Sequence, residues 1–347
     1  MNVISKSTQA LIFLFLLCGG LYVAKGFLVP ITFAALIAML FVPLCVWLEK
    51  RGIGKALSAL LCVLLFIGVG SGIVALLSWQ VAGIAQDADH IADQLSKIPA
   101  GIQEFIHKTV GLTVEQQQQM LKEQDVSTRI GGKIASAANS AASMLGMSLL
   151  VIVYIFMFIY YRSHLENFIL KLVSDDNREK TKRIMYSSGR VAQQYISGLG
   201  MMIGVLWIMY GICFSIIGIR HALFFAVLCG LLEMMPYVGN LIGNILTALM
   251  AYTQGGSSMA LWVLAVYGLV QFTQTYILEP LVVGARVSIN PLCTIVVVIL
   301  GEMIWGIPGM VLAIPLLGIV KIVCDNVSWL RPFGFLIGEV KHREKKH

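Results

Sequence analysis

Residues 233–240 read EMMPYVGN, and they lie inside one of the most apolar parts of the chain. A simple membrane-spanning helix has no use for a carboxylate, a proline and a glycine in so short a space. Pro236 removes a backbone donor and its ring clashes with the preceding turn, so a helix should bend or stop near Glu233 to Met235. Gly239 permits backbone angles closed to other residues, and Asn240 and Asn244 add two side-chain amides just beyond it. The stretch therefore reads as a helix broken at membrane depth, with backbone carbonyls exposed beside a carboxylate. Such backbone survives there only inside protein or next to water. Transporters use discontinuous helices of this kind to hold cations or small polar solutes.

The surrounding composition supports a membrane setting. Of 347 residues, 58% are hydrophobic and 12% charged, where a soluble protein carries roughly 25% charged residues. Apolar runs of about 20 residues recur, long enough at 1.5 Å per residue to match a hydrocarbon core roughly 30 Å thick. A soluble helical protein would need far more polar surface. The fold expected is all-α: a polytopic helical membrane protein with about eight crossings and broken or re-entrant helices in its C-terminal half.

Residues 1–79 hold three apolar runs, 8–24, 27–48 and 57–79, separated by Lys25-Gly26 and by EKRGIGK at 49–55. The first run faintly resembles a signal peptide ending at Cys18, but Leu17 stands where a cleavage site wants a small residue, so a retained helix is expected. Residues 80–146 are polar, with seven acids and five Lys/Arg. Ile84, Ala88, Ile91, Leu95 and Ile98 extend the third helix outward as an amphipathic one as far as Pro99. This insert reads either as an extramembrane helical cap or oligomerisation surface, or as a solvated connector. Residues 147–197 comprise a fourth apolar run and a basic segment, 198–330 a hydrophobic core, and 331–347 a basic tail.

The net charge of +7 is not that of a nucleic-acid binder, because Lys and Arg cluster beside apolar runs with no accompanying motif. Segments 49–55, 162–197 and 341–347 are the basic ones, which places them in the cytoplasm together with both termini. Between 198 and 330 six apolar pieces can be drawn: 199–218, 221–235, 238–252, 258–278, 291–304 and 307–327. Several are too short to cross alone, and the charge rule does not decide between broken spans and re-entrant hairpins.

The charges of the C-terminal half mark candidate chemistry. Arg220 and Lys321 read as interfacial residues that snorkel, whereas Glu233 and Glu302 lie amid apolar sequence and should face a bundle interior or a watery cavity. GEMIWGIPGMVLAIP at 301–315 repeats the first break in outline: Glu302 precedes Gly306, Pro308 and Gly309. Between the two breaks, YILEPLVVGARVSINPL at 276–292 reads as a structured loop in which Glu279 and Arg286 can pair. Glycines at 68, 70 and 72 and at 200, 204 and 211 suggest close helix packing. The seven cysteines lie in apolar segments without metal-site spacing and read as packing residues. No metal, cofactor or enzyme signature is present: HExxH, GxSxG and Walker sequences are missing.

EMMPYVGNLIG, ILEPLVVGARVSINPL and GIPGMVLAIPLLGIVK resemble the signature stretches of the autoinducer-2 exporter (AI-2E) family, and the layout of the chain is similar to that family's throughout. The resemblance implies a multi-pass protein of the bacterial inner membrane that exports small molecules without ATP. It also implies a homo-oligomer, a pentamer, with a link to quorum sensing through autoinducer-2 and, for some members, to sodium/proton antiport. The matching residues are Glu233, Pro236, Tyr237, Gly239, Glu279, Pro280, Gly284, Pro291, Gly306, Pro308 and Gly309.

Three functions follow as expectations. The first is a secondary exporter of a small polar solute, autoinducer-2 being the leading candidate. In it the breaks at Pro236 and Pro308 line the pathway and Glu233 and Glu302 contact solute or coupling proton, carboxylate and amide acceptors suiting a hydroxyl-rich solute. The second is a monovalent cation/proton antiporter in which Glu233 exchanges a proton for sodium. The third is a non-transporting oligomeric scaffold, in which both glutamates are structural.

Overall fold

The computed structural model describes residues 3–86, 146–235, 238–283 and 289–339. Helices account for nearly all of them, with no β-strand among the described residues beyond an isolated bridge between Ile289 and Gly338. The protein is a polytopic helical membrane protein. Most of the 80–146 insert and the tail beyond residue 339 lie outside the described residues.

Helix α1 (Val3–Val23) runs into α2 (Lys25–Lys50) through Ala24 alone. Helical hydrogen bonds, Ala24 N to Gly20 O and Leu28 N to Ala24 O, both 2.9 Å, continue on either side of it. The first two apolar runs, expected to be separated at Lys25-Gly26, thus join almost without interruption. α3 (Lys55–Gln86) packs on α2, and α4 (Gly146–Tyr160) bends by 66° into the short α5 (Arg162–Lys171). Ala34, Cys45, Cys62, Ile155 and Ile159 form the buried core of this N-terminal bundle. An ion pair between Glu49 and Arg162 closes its end, with Cys45 Sγ 3.7 Å from Glu49 Oε1.

The C-terminal half is built from antiparallel hairpins. α6 (Arg178–Ile217) ends at Gly218, whose φ of 84° gives the left-handed cap that glycine favours. α7 (Ala222–Leu232) returns along it. The Trp207 indole donates to Val227 O at 3.1 Å, and a Cβ on Gly230 would overlap the Trp207 ring. α8 (Val238–Thr273) then runs back along α7: Gly239 lies against Leu232, Gly243 against Cys229, and Arg220 N donates to Gln254.

α8 itself reverses. Gly255 and Gly256 leave helical geometry, the latter at φ 68°, ψ −159°. Asn240 donates to Gln271, which is 31 residues on; a straight helix would separate them by about 46 Å. The last turn opens into a π-helix, Gln274–Val283. A second hairpin follows, α9 (Pro291–Trp305) and α10 (Ile307–Asn326), reversing on the single residue Gly306 at φ 67°, ψ −148°. Asn290 caps α9 by accepting from Leu292 N at 3.0 Å. α11 (Arg331–Ile337) returns to the base of α9, where Asn290 N donates to Ile337 O at 2.8 Å.

All six apolar pieces expected between 198 and 330 form separate helical segments. Among the described residues five helices, α8 counted as one, are long and apolar enough to cross a membrane, or six with the bent α4–α5 pair, where about eight crossings were expected. α7 has 11 residues and α9 has 15, too few for roughly 30 Å of hydrocarbon. One core joins α6, α7 and α8 through Leu206, Phe214, Phe225 and Cys229. A smaller one, Leu36, Ala192 and Leu312, ties α2, α6 and α10 together.

Candidate functional site

The break at Glu233 brings together side chains far apart in sequence. Gln274 Nε2 donates to Glu233 Oε1 at 2.6 Å. Tyr210 donates its hydroxyl to Asn240 Oδ1 at 3.1 Å, and Asn244 Nδ2 donates to the same oxygen at 2.6 Å. Asn240 in turn donates to Gln271, whose Nε2 reaches Thr275 Oγ1 at 3.3 Å. Tyr210, Asn244 and Gln274 are 1%, 2% and 1% exposed. This chain of amides and hydroxyls lies among the apolar helices α6, α7 and α8, where an unpaired polar group is expensive.

Local sequence explains the placement. α7 ends at Leu232, so Glu233 sits at the negative end of its dipole, an unfavourable place for a carboxylate. The Gln274 amide offsets this. Asn240 and Asn244 are one turn apart on α8 and share a face; Thr247 continues it, with Oγ1 3.6 Å from Cys229 Sγ. Gln271, Gln274 and Thr275 line the returning half, and the π-helix begins at Gln274 itself. Single π-turns inside helices are frequent at functional sites.

Two buried oxygens in the cluster, Asn244 Oδ1 and Gln274 Oε1, have no hydrogen-bond partner among the described residues. Glu233 is in no ion pair among them either. The cluster thus combines one carboxylate with spare amide acceptors. It can receive hydrogen bonds from a hydroxyl-bearing solute or coordinate a small cation.

The other expected site residues fall into three groups. Pro236, Tyr237 and Arg286 lie outside the described residues, and with Arg286 the expected Glu279 pairing. Gly239 is buried with its backbone against Leu232 O, as the tight reversal requires, and Glu279 lies exposed on the π-helix. Gly306, Pro308 and Gly309 make the second reversal: Gly309 meets Gly301 O as Gly239 meets Leu232 O. Glu302, however, is exposed on α9, whose packing partners are α10, α1 and α2. The structure therefore does not gather Glu302 into the cluster around Glu233.

One further expectation changes. A Cβ added at Gly68, Gly70, Gly72, Gly200 or Gly204 would meet nothing within 4 Å. Instead of packing helices closely, Gly68, Gly72 and Gly204 line an apolar groove of about 990 Å³ between α3 and α6. Lys321 pairs with Asp325 at 2.7 Å. Tyr210, Gln271, Gln274 and Thr275 join the site from the tertiary structure. The sequence holds a signal for three of them, since VQFTQT at 270–275 places polar residues at helical spacing inside an apolar run.

Comparison with known proteins agrees with this architecture. The family model described as AI-2E family transporter matches residues 11–329. The putative transport protein YrrI of Bacillus subtilis (strain 168) is 22% identical over 327 residues, covering 89% of each chain. YueF of the same organism is 24% identical over 86% of this chain and 83% of its own. YhhT of Escherichia coli (strain K12) is 21% identical over 94% of this chain and 92% of its own.

Proposed function

Because this chain belongs to the AI-2E family of transporters, we propose that it is a secondary, ATP-independent exporter of a small polar solute. The solute is held by Glu233, Asn240, Asn244 and Gln274. The observation that carries this reading is the pair of buried, unpartnered oxygens, Asn244 Oδ1 and Gln274 Oε1, beside the Glu233 carboxylate. Leaving a buried acceptor unmet costs about 1–3 kcal/mol, a cost that a hydroxyl-rich solute removes by donating to it. Autoinducer-2, neutral and rich in hydroxyls, suits such a set of acceptors.

The hairpin geometry supports a pathway. α7 rises about 16 Å before the chain reverses, roughly half the hydrocarbon thickness. With the α6–α7 junction at one surface, Glu233 sits near the midplane, where transporter sites are built from broken helices. The basic segments 49–55, 162–197 and 341–347 then face the cytoplasm of a bacterial inner membrane.

A second reading, sodium/proton antiport, is favoured by the same two amide oxygens next to a carboxylate, which is also a donor set for a hard monovalent cation. Flux in proteoliposomes separates the two. The wild type should export autoinducer-2 without sodium, and both Glu233→Gln and Asn244→Leu should lower that flux at least about tenfold while remaining folded. Sodium-driven proton flux that needs Glu233 but no organic solute would replace the exporter by the antiporter. Unchanged flux of every kind in both variants removes the cluster from the pathway.

A further inference from the structure

Besides the Glu233 cluster, the molecule carries a basic groove. Lys182, Arg183, Tyr186 and Arg190 lie exposed on one side of α6. With Met39 and Val42 of α2 they line a groove of about 650 Å³. We propose that this groove binds the phosphate headgroup of an anionic phospholipid, with an acyl chain lying along Met39 and Val42. The proposal is independent of which solute the protein exports.

Charge and shape both point to a ligand with two halves. Among the described residues none of the three cations is in an ion pair, and Glu179 is the single acid lining the groove, leaving a net positive rim. At its edge the Tyr186 hydroxyl, on a side chain 63% exposed, donates to Glu166 at 3.4 Å, so three cations there face two carboxylates and the rim stays positive. The groove's floor comes from α2, a helix apolar enough to cross the membrane, and Met39 there packs against the buried cluster of Leu36, Ala192 and Leu312. A soluble anion would use the rim and leave the floor unused; a purely apolar ligand would do the reverse. A phospholipid uses both, and basic pockets between membrane helices on the cytoplasmic side recognise acidic headgroups in this manner.

The position along the chain fits as well. Arg190 lies eight residues before Gly198, where the apolar part of α6 begins, so its charge stands about 12 Å from the start of the hydrocarbon-compatible stretch. That distance is within reach of a headgroup whose chains enter the bilayer beside α2.

The test is native mass spectrometry of the full chain in detergent, titrated with phosphatidylglycerol or phosphatidylcholine. The wild type should prefer phosphatidylglycerol. The triple variant Lys182→Gln, Arg183→Gln, Arg190→Gln should lose about a hundredfold in affinity for it, at about fivefold per charge. A control triple of exposed cations away from the groove, Lys55→Gln, Lys171→Gln, Arg331→Gln, should lose less than about threefold. Val42→Trp, which fills the floor without altering charge, should weaken phosphatidylglycerol about tenfold and leave glycerol phosphate binding unchanged. Equal losses in the two triples would overturn the proposal, as would no preference between the lipids. Displacement by millimolar inorganic phosphate with Val42→Trp silent would assign the groove to a soluble anion instead. Should the groove triple fail to fold, judged by thermal melting, the three single variants must each show the fivefold loss.

Discussion

A Cβ placed on Gly239 would overlap the carbonyl oxygen of Leu232. The first hairpin therefore closes on backbone contact, and the same relation recurs in the second, where a Cβ on Gly309 would overlap Gly301 O. In both hairpins the carbonyl involved precedes a glutamate, Glu233 or Glu302. The two breaks seen in the sequence are thus alike in local construction, although only the first is wrapped in polar side chains.

Gly239→Ala should destabilise the protein by at least about 3 kcal/mol, because the obstructing atom is backbone and cannot swing away. Gly309→Ala should cost a similar amount. Gly243→Ala, where the nearest atom is Cys229 Sγ at 3.0 Å, should cost less, and Gly204→Ala, facing open space, should be neutral. Thermal melting of the four variants in one detergent checks the order; a Gly239→Ala protein as stable as Gly204→Ala would remove the close contact.

Tyr210→Phe removes the hydroxyl that links α6 to Asn240 and Asn244. The ring is 1% exposed and stacks on Phe214 at 5.2 Å, so its packing survives while two buried hydrogen bonds are lost, the one to Asn240 and a longer one from Asn244. The expected cost is about 1–2 kcal/mol, read as a lowered unfolding midpoint. Hydrogen exchange should rise around 240–244 and not around α9.

Glu49 and Arg162 hold α2 to the start of α5 with side chains 20% and 23% exposed. Removing one partner leaves a half-buried charge, so Glu49→Gln should destabilise by about 1–3 kcal/mol, less than the cost of breaking a fully buried pair. Adding Arg162→Gln should recover part of that loss. A double-mutant cycle with no coupling would show that the pair contributes nothing.

Trp305 Nε1 donates to Leu21 O at 3.0 Å, joining residues 284 positions apart. α1 otherwise packs mainly on α2 and α9. Trp305→Phe should leave the hairpin intact and loosen α1 selectively. Limited proteolysis is the measurement: faster cleavage between residues 3 and 23, with unchanged cleavage elsewhere, is expected.

Legibility from sequence differs by element. Pro236 and Gly306 announce both reversals, because a missing donor and a positive φ are local properties. The reversal at Gly255-Gly256 is equally local, yet in sequence it shows only as the gap between two apolar pieces. Asn240 and Asn244 stand out by their nearness to Glu233. Their partners are harder to see, since Tyr210 lies 30 residues away from Asn240 and Gln274 lies 41 from Glu233. Glu302 looks equivalent to Glu233 by pattern; what separates them is which helices pack around each.

By itself the sequence determined a helical membrane protein of the AI-2E type and the positions of its helix breaks. These follow from hydrophobic length and residue backbone preference, each readable over a few residues. Only the tertiary structure decided that the breaks are antiparallel hairpins and that one of them collects Tyr210, Gln271 and Gln274 around Glu233. It alone decided, too, that the glycines of α3 and α6 line a groove. Those outcomes depend on which helix faces meet, and that is set by packing across tens of residues, not by any short run of the chain.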